Sequence, residues 1–183
     1  YRETPVFRAD MKYLVLDPDW TVPPTILRKD VLPALRRGAP YLTNHQMEVV
    51  DAKGNLIDAS GIDWSKYASA SFPYQIRQRP GPTNSLGRIK FIFPNPHFVF
   101  LHDTPARNLF DQTERTFSSG CIRVEHPEEL AEILLRSKPE WNRAAIDAAL
   151  ATGTTRTVFL AKPMPVLLMY LTVVAFDGGK TFV

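Results

Sequence analysis

Two stretches decide the reading of this chain: Phe98-Val99-Phe100-Leu101-His102, and Phe117-Ser118-Ser119-Gly120-Cys121-Ile122-Arg123-Val124, whose Cys121 follows His102 by 19 positions (121 − 102). Alternation along an extended chain puts Phe98, Phe100 and His102 on one side of a predicted strand, with the imidazole at its carboxyl end. Gly120 can take backbone angles that other residues avoid, which suits a sharp turn presenting Cys121 with backbone N–H groups beside it. Such N–H groups can bind a tetrahedral oxyanion. Cys121 is the only cysteine in 183 residues, which excludes an internal disulfide and leaves the redox compartment unread. A lone thiol near a histidine reads as nucleophile and base. A thiol that titrates near 8.5 needs an imidazole or an electropositive turn to become thiolate; His102 and Arg123 are the groups at hand. The structural alternative is a buried cysteine acting as a small hydrophobe, with a histidine that only satisfies hydrogen bonds.

Composition fits one enzyme-sized domain. The chain is 44% hydrophobic and 22% charged, enough to bury one substantial core and unlike a disordered or fibrous sequence. A net charge of +3 favours an anionic polymer without demanding one. The basic residues are scattered, only Arg77, Arg79, Arg88 and Lys90 forming a loose cluster, and no nucleic-acid motif accompanies them; no nucleic-acid partner is expected. The longest apolar stretch, Val166 to Phe176, has 11 residues where a spanning helix needs about 20, so it is read as a buried strand. Zinc is the competing chemistry, through His45, His97, His102, His126 and Cys121. No helical pair at i, i+4 and no Cys-x-x-Cys loop brings them together, and no metal or other cofactor is expected.

The spacing His102, then 15 intervening residues, then Ser118-x-Gly120-Cys121-x-Arg123 resembles the signature of the L,D-transpeptidase catalytic domain of YkuD type. Arg79-Pro80-Gly81-Pro82-x-Asn84-x-Leu86-Gly87-Arg88-Ile89-Lys90-Phe91, Phe93-Pro94-Asn95-Pro96 and Leu101-His102-Asp103-Thr104-Pro105 are similar to the larger, YcbB-like branch. Thr4-Pro5-Val6-Phe7 and Lys12 to Leu16 fit it too, so the resemblance covers nearly the whole chain.

The resemblance implies a mainly β (β-rich α+β) fold, a β-sandwich catalytic core over 1–183 with peripheral helices, in which 18–75 is an inserted capping subdomain. It also implies that the first strands of the catalytic sheet precede this chain. Cys121 would be the nucleophile, His102 the base, and Asp103 the third member, by backbone carbonyl or side chain. Gly120 would shape the turn, and Ser118, Ser119 and Arg123 would contact substrate. Ser119 departs from the family's common form, which has a histidine before the Gly-Cys pair. Arg123 is open to two readings, a carboxylate fork or a structural ion pair. The implied reaction joins peptidoglycan stem peptides by 3→3 crosslinks through a thioester, releasing D-Ala. The same site would serve hydrolysis or D-amino-acid exchange, and a non-catalytic peptidoglycan-binding module is the alternative of another class. Carbapenem-type β-lactams are implied covalent inhibitors, and the periplasm or cell envelope the implied location, as part of a larger exported or membrane-anchored protein.

Outward from the site, 6–16 reads as a strand stopped by Asp17-Pro18. Asp30 is expected to cap a short helix through Arg37 that Gly38 ends. Met47 to Val50 and Leu56-Ile57 form a predicted hairpin. Trp64, Tyr67, Phe72 and Tyr74 either fill a local core or line a groove. Ile89, Phe91 and Phe93 share the buried face of a strand, and Ile122 to Val124 is a short one. Pro127 opens a helix burying Leu130, Ile133 and Leu134, and Trp141 to Ala149 is a second helix ended near Gly153. Thr155 to Ala161 and Val166 to Phe176 return to sheet, with a turn at Asp177-Gly178-Gly179 into Lys180 to Val183.

Overall fold

The computed structural model of the chain describes residues 3–67, 71–170, 174–175 and 181–182. Its main strands are β1 (Phe7–Leu16), β2 (Trp20–Thr21), β3 (Met47–Val50), β4 (Leu56–Ile57), β5 (Gln75–Gln78), β6 (Ile89–Ile92), β7 (Leu101–His102), β8 (Ile122–Arg123) and β9 (Arg156–Leu168). They form a five-stranded sheet in the order β8-β7-β6-β1-β9 and a four-stranded sheet in the order β2-β5-β3-β4. Val174–Ala175 pairs with Thr181–Phe182; the turn expected at Asp177 to Gly179 lies outside the described residues. The mainly β expectation holds.

The pleat of the larger sheet sorts core from chemistry. One cross-strand row is Ile122, Leu101, Phe91, Leu14 and Val158; the next is Arg123, His102, Lys90, Val15 and Thr157. Cross-strand neighbours point to the same face, and adjacent rows to opposite faces. Leu14, Leu16, Ile89, Phe91 and Phe93 therefore face one apolar core, completed by Ala131 and Leu135 from helix Pro127–Leu135 and by Ile146, Ala149 and Leu150 from helix Arg143–Ala151. In the first helix the inward positions are Pro127, Ala131 and Leu135, four apart as one helical face requires. Ile133, expected inside, is exposed. The second helix begins later than Trp141, because the Asn142 side chain accepts a hydrogen bond from the Ala145 N–H and caps it.

Residues 20–78 carry a core of their own, with Val22, Leu27, Val31, Leu32, Val49 and Ile76 at its centre. The helix here starts at Pro24, seven positions (31 − 24) before the Val31 expected to follow an Asp30 cap. It runs to Arg36 through a π-wound segment, Leu27–Val31. Pro33 has no N–H to give, and the wider turn with Leu32 N–H bonded to the Leu27 carbonyl accommodates it. The aromatic quartet is mutually packed: Phe72 lies 5.7 Å from Trp64, 5.6 Å from Tyr67 and 5.7 Å from Tyr74 between ring centroids. It fills this local core.

Two other expectations change. Phe98 is exposed with φ 55°, outside any strand, because Asn95 organises the chain before it. The Asn95 Nδ2 donates to the Phe93 and Val99 carbonyls, and its Oδ1 accepts from the His97 and Val99 amides. The stretch after 165 returns to sheet only in part where described: β9 runs to Leu168, with Val166 and Leu168 half-buried against the core, Leu167, Met169 and Tyr170 are exposed, Val174–Ala175 is a short strand, and 171–173 and 176 lie outside the described residues.

The segment entering β6 is the tightest point in the fold. Gly87 has φ +60°, and a Cβ there would lie 2.3 Å from Asp103 Cγ. The Asp103 carboxylate accepts from the Arg88 amide at 2.7 Å and the Thr104 amide at 2.6 Å, and pairs with Arg107 at 2.7 Å. Gly87→Ala should therefore lower the unfolding free energy by about 3 kcal/mol or more. Gly61→Ala, into open space at an ordinary φ, should change it by under about 0.5 kcal/mol. Paired denaturant titrations measure both.

Candidate active site

Thr104 to Gly120 form the long connection that parallel pairing of β7 with β8 demands. The pairing brings His102 directly opposite Arg123, with Cys121 immediately before β8. Cys121, Ser118 and Arg123 line a cavity of about 450 Å³, with Phe110, Arg115 and Tyr170 among its other walls. Gly120 is buried with φ 118°. A Cβ there would meet nothing closer than 3.6 Å, so the need for glycine is conformational. Its carbonyl accepts from Thr4 Oγ1 at 2.8 Å, and the Thr4 carbonyl accepts from the Tyr170 hydroxyl at 2.6 Å. The amino-terminal segment thus pins the cysteine turn. Sequence reading missed Thr4, Tyr170 and the 106–117 wall, because nothing local marks such long-range contacts.

His102 is buried and is not part of the cavity wall. Its Nδ1 meets the backbone carbonyl of Asp103 at 2.5 Å, which as an acceptor fixes the proton on Nδ1 and leaves Nε2 able to take one. The two alternatives for Asp103 separate here: its carbonyl orients the imidazole, while its carboxylate is occupied by the loop and Arg107. Ser118 Oγ accepts from the Gly120 amide at 3.1 Å, so that amide is already engaged. Ser119 is exposed and lies outside the cavity wall. Arg123 Nε and Nη1 are buried without a hydrogen-bond partner, and the structural ion pair considered for Arg123 is absent among the described residues. No residue of 18–78 lines the cavity, and the histidines weighed as zinc ligands form no cluster of three metal-binding groups among the described residues.

Electrostatics give the resting charge state. Burial pushes the His102 imidazole down to about 4, partly opposed by the hydrogen bond to Asp103 and reinforced by Arg123 and Lys90. Burial also pushes the Cys121 thiol up, against the Phe100 backbone hydrogen bond and the Lys90 charge, which pull it down. Thiol and imidazole are therefore both neutral at pH 7. Between about pH 6.5 and pH 4 the unfolded chain binds a proton on this histidine that the folded chain refuses, so stability falls as pH falls across that window. At pH 4 the loss attributable to His102 should be about 3 kcal/mol. Unfolding free energies of the parent and His102→Gln at pH 4 and pH 7.5 should differ by that amount in their pH dependence.

Comparison with known proteins identifies the family. The L,D-transpeptidase catalytic domain model of the YkuD family matches residues 1–159. A Haemophilus influenzae protein provisionally named an L,D-transpeptidase is 36% identical over 178 residues, which is 97% of this chain and 36% of that protein. The chain thus spans about a third of the length of the relative it matches. With the family model matching residues 1–159, the chain belongs to the YkuD family of L,D-transpeptidase catalytic domains.

Proposed function

We propose that this domain is a cysteine L,D-transpeptidase that forms 3→3 crosslinks between peptidoglycan stems. The observation that carries the reading is the cavity thiol of Cys121 at the start of β8, the strand paired with the one that carries an imidazole held by the Asp103 carbonyl. Because burial resists both thiolate and imidazolium, proton transfer accompanies attack instead of preceding it. Cys121 Sγ adds to the donor carbonyl as its proton passes to His102 Nε2. The C–N bond to the terminal D-Ala then breaks, and His102 returns the proton to the departing amine, leaving a thioester. The side-chain amine of a second stem attacks that thioester, loses its proton to His102, and Sγ recovers it. With the Gly120 amide engaged by Ser118, the Cys121 N–H is the proposed oxyanion donor.

Arg123 fits the stem carboxylate. A guanidinium with two buried, unpartnered N–H donor nitrogens in the wall beside the nucleophile offers charge-assisted hydrogen bonds to that carboxylate. Ser118 acts by holding the turn, and Ser119 is assigned to substrate arriving from outside. Residues 18–75, which carry their own core, are assigned as the inserted capping subdomain. Peptidoglycan as substrate puts the working location in the bacterial envelope.

Incubation with a carbapenem-type β-lactam tests the nucleophile. Intact mass should show one adduct per chain, mapped to Cys121 and absent from Cys121→Ala. His102→Gln should acylate about 100-fold more slowly or worse. A folded parent chain that takes no adduct would point instead to a binding module.

A further inference from the structure

The basic residues that look clustered in sequence are mostly spoken for. Arg77 and Arg79 share Glu48, Arg88 is held by Asp17, and Arg107 by Asp103. Lys90 differs. It lies in the row between Val15 and His102, directly across from the imidazole-bearing residue. It is half-buried, and among the described residues no carboxylate comes within ion-pair reach of it. Its ammonium sits 4.0 Å from the centre of the Phe100 ring, and that ring lies 5.8 Å from the His102 ring. A cation lodged on an aromatic face in a partly dry setting is screened less than one in water and acts more strongly on its neighbours.

We infer that Lys90 is a positioning residue for the reaction: fixed on Phe100 opposite His102, its ammonium supplies the positive field in which Cys121 carries negative charge as it attacks. The inference rests on Cys121 being the nucleophile. Lys90 faces the site from β6, His102 from β7 and Arg123 from β8, with Glu3 and Arg115 in the cavity wall beside Cys121. Asp19, from the segment after β1, acts on Lys90. Burial pushes the Lys90 ammonium down, and the charges of Cys121 and Asp19 pull it up. Reciprocally, Lys90 is the side-chain charge that pulls the thiol down, and with Arg123 it adds to the burial that pushes the imidazole down.

This makes a signed test. Removing the cation should raise both the thiol and the imidazole. Merely opening the site to water would instead lower the thiol, because burial is what raises it. Iodoacetamide alkylation of the single cysteine, followed across pH, reads the thiol in isolation. Lys90→Met, folded by near-ultraviolet circular dichroism, should alkylate about tenfold more slowly at pH 7 with its midpoint about one pH unit higher. Lys90→Arg should stay within about threefold of the parent, and Lys90→Gln repeats the test if the Met variant does not fold. A midpoint that stays put or falls in the neutral variant overturns the inference, as does an equal rise in Lys90→Arg. Failure of the parent to acylate with a carbapenem would count against the nucleophile itself, whereas the alkylation midpoint judges Lys90.

Discussion

The register of β6, β7 and β8 is the constraint on which the rest depends. A strand slipped by one residue exchanges its two faces. A slip of β7 would send His102 into the apolar layer and bring Leu101 out beside the thiol. What prevents it is the other row: Leu14, Phe91 and Val158 are buried against two helices, and no slipped arrangement keeps that burial. Apolar packing on one face thus fixes catalytic geometry on the other. The short pairings of β7 and β8, two residues each, extend from β6, whose Ile89 and Phe91 are fully buried.

Asp103 joins these two levels. Its carboxylate ties the Arg88 amide, the Thr104 amide and Arg107 into one knot, and Gly87 leaves the space that knot occupies. Burial pushes the carboxyl up, while those partners pull it down. With the side chain locked, the backbone carbonyl is left pointing at His102 Nδ1. One residue therefore fixes a loop with its carboxylate and an imidazole tautomer with its carbonyl. Asn84 does similar work upstream: its Nδ2 donates to the Pro18 and Arg79 carbonyls and its Oδ1 accepts from the Leu86 amide. This gives the Arg79 to Arg88 stretch a structural reason for its composition.

Where the pattern was strictly local, sequence reading was sound. Ile89, Phe91 and Phe93 alternate and are buried, Pro127 opens its helix, and Asp51 with Gly54 at φ 86° closes the predicted hairpin. The failures have physical causes beyond local pattern. Phe98 was drawn into a strand by its apolar neighbours, whereas the Asn95 side chain bends the backbone there. Asp30 suggested a helix start, yet the helix begins at Pro24 and a π-wound segment carries it through Asp30 to Pro33. At the site, residue types singled out Cys121, His102 and Gly120, but the choice between the carbonyl and carboxylate of Asp103, and the lack of an ion pair at Lys90 or Arg123 among the described residues, are facts of three dimensions.

The account turns on a thioester forming at Cys121 with loss of a single residue from the donor. The most direct observation is the intact mass of the protein after brief incubation with a tetrapeptide stem and no acceptor amine. The predicted species carries the donor less its terminal D-Ala on Cys121, with free D-Ala released in equal amount. A chain of unchanged mass that releases no D-Ala, or one holding the whole tetrapeptide, would contradict it.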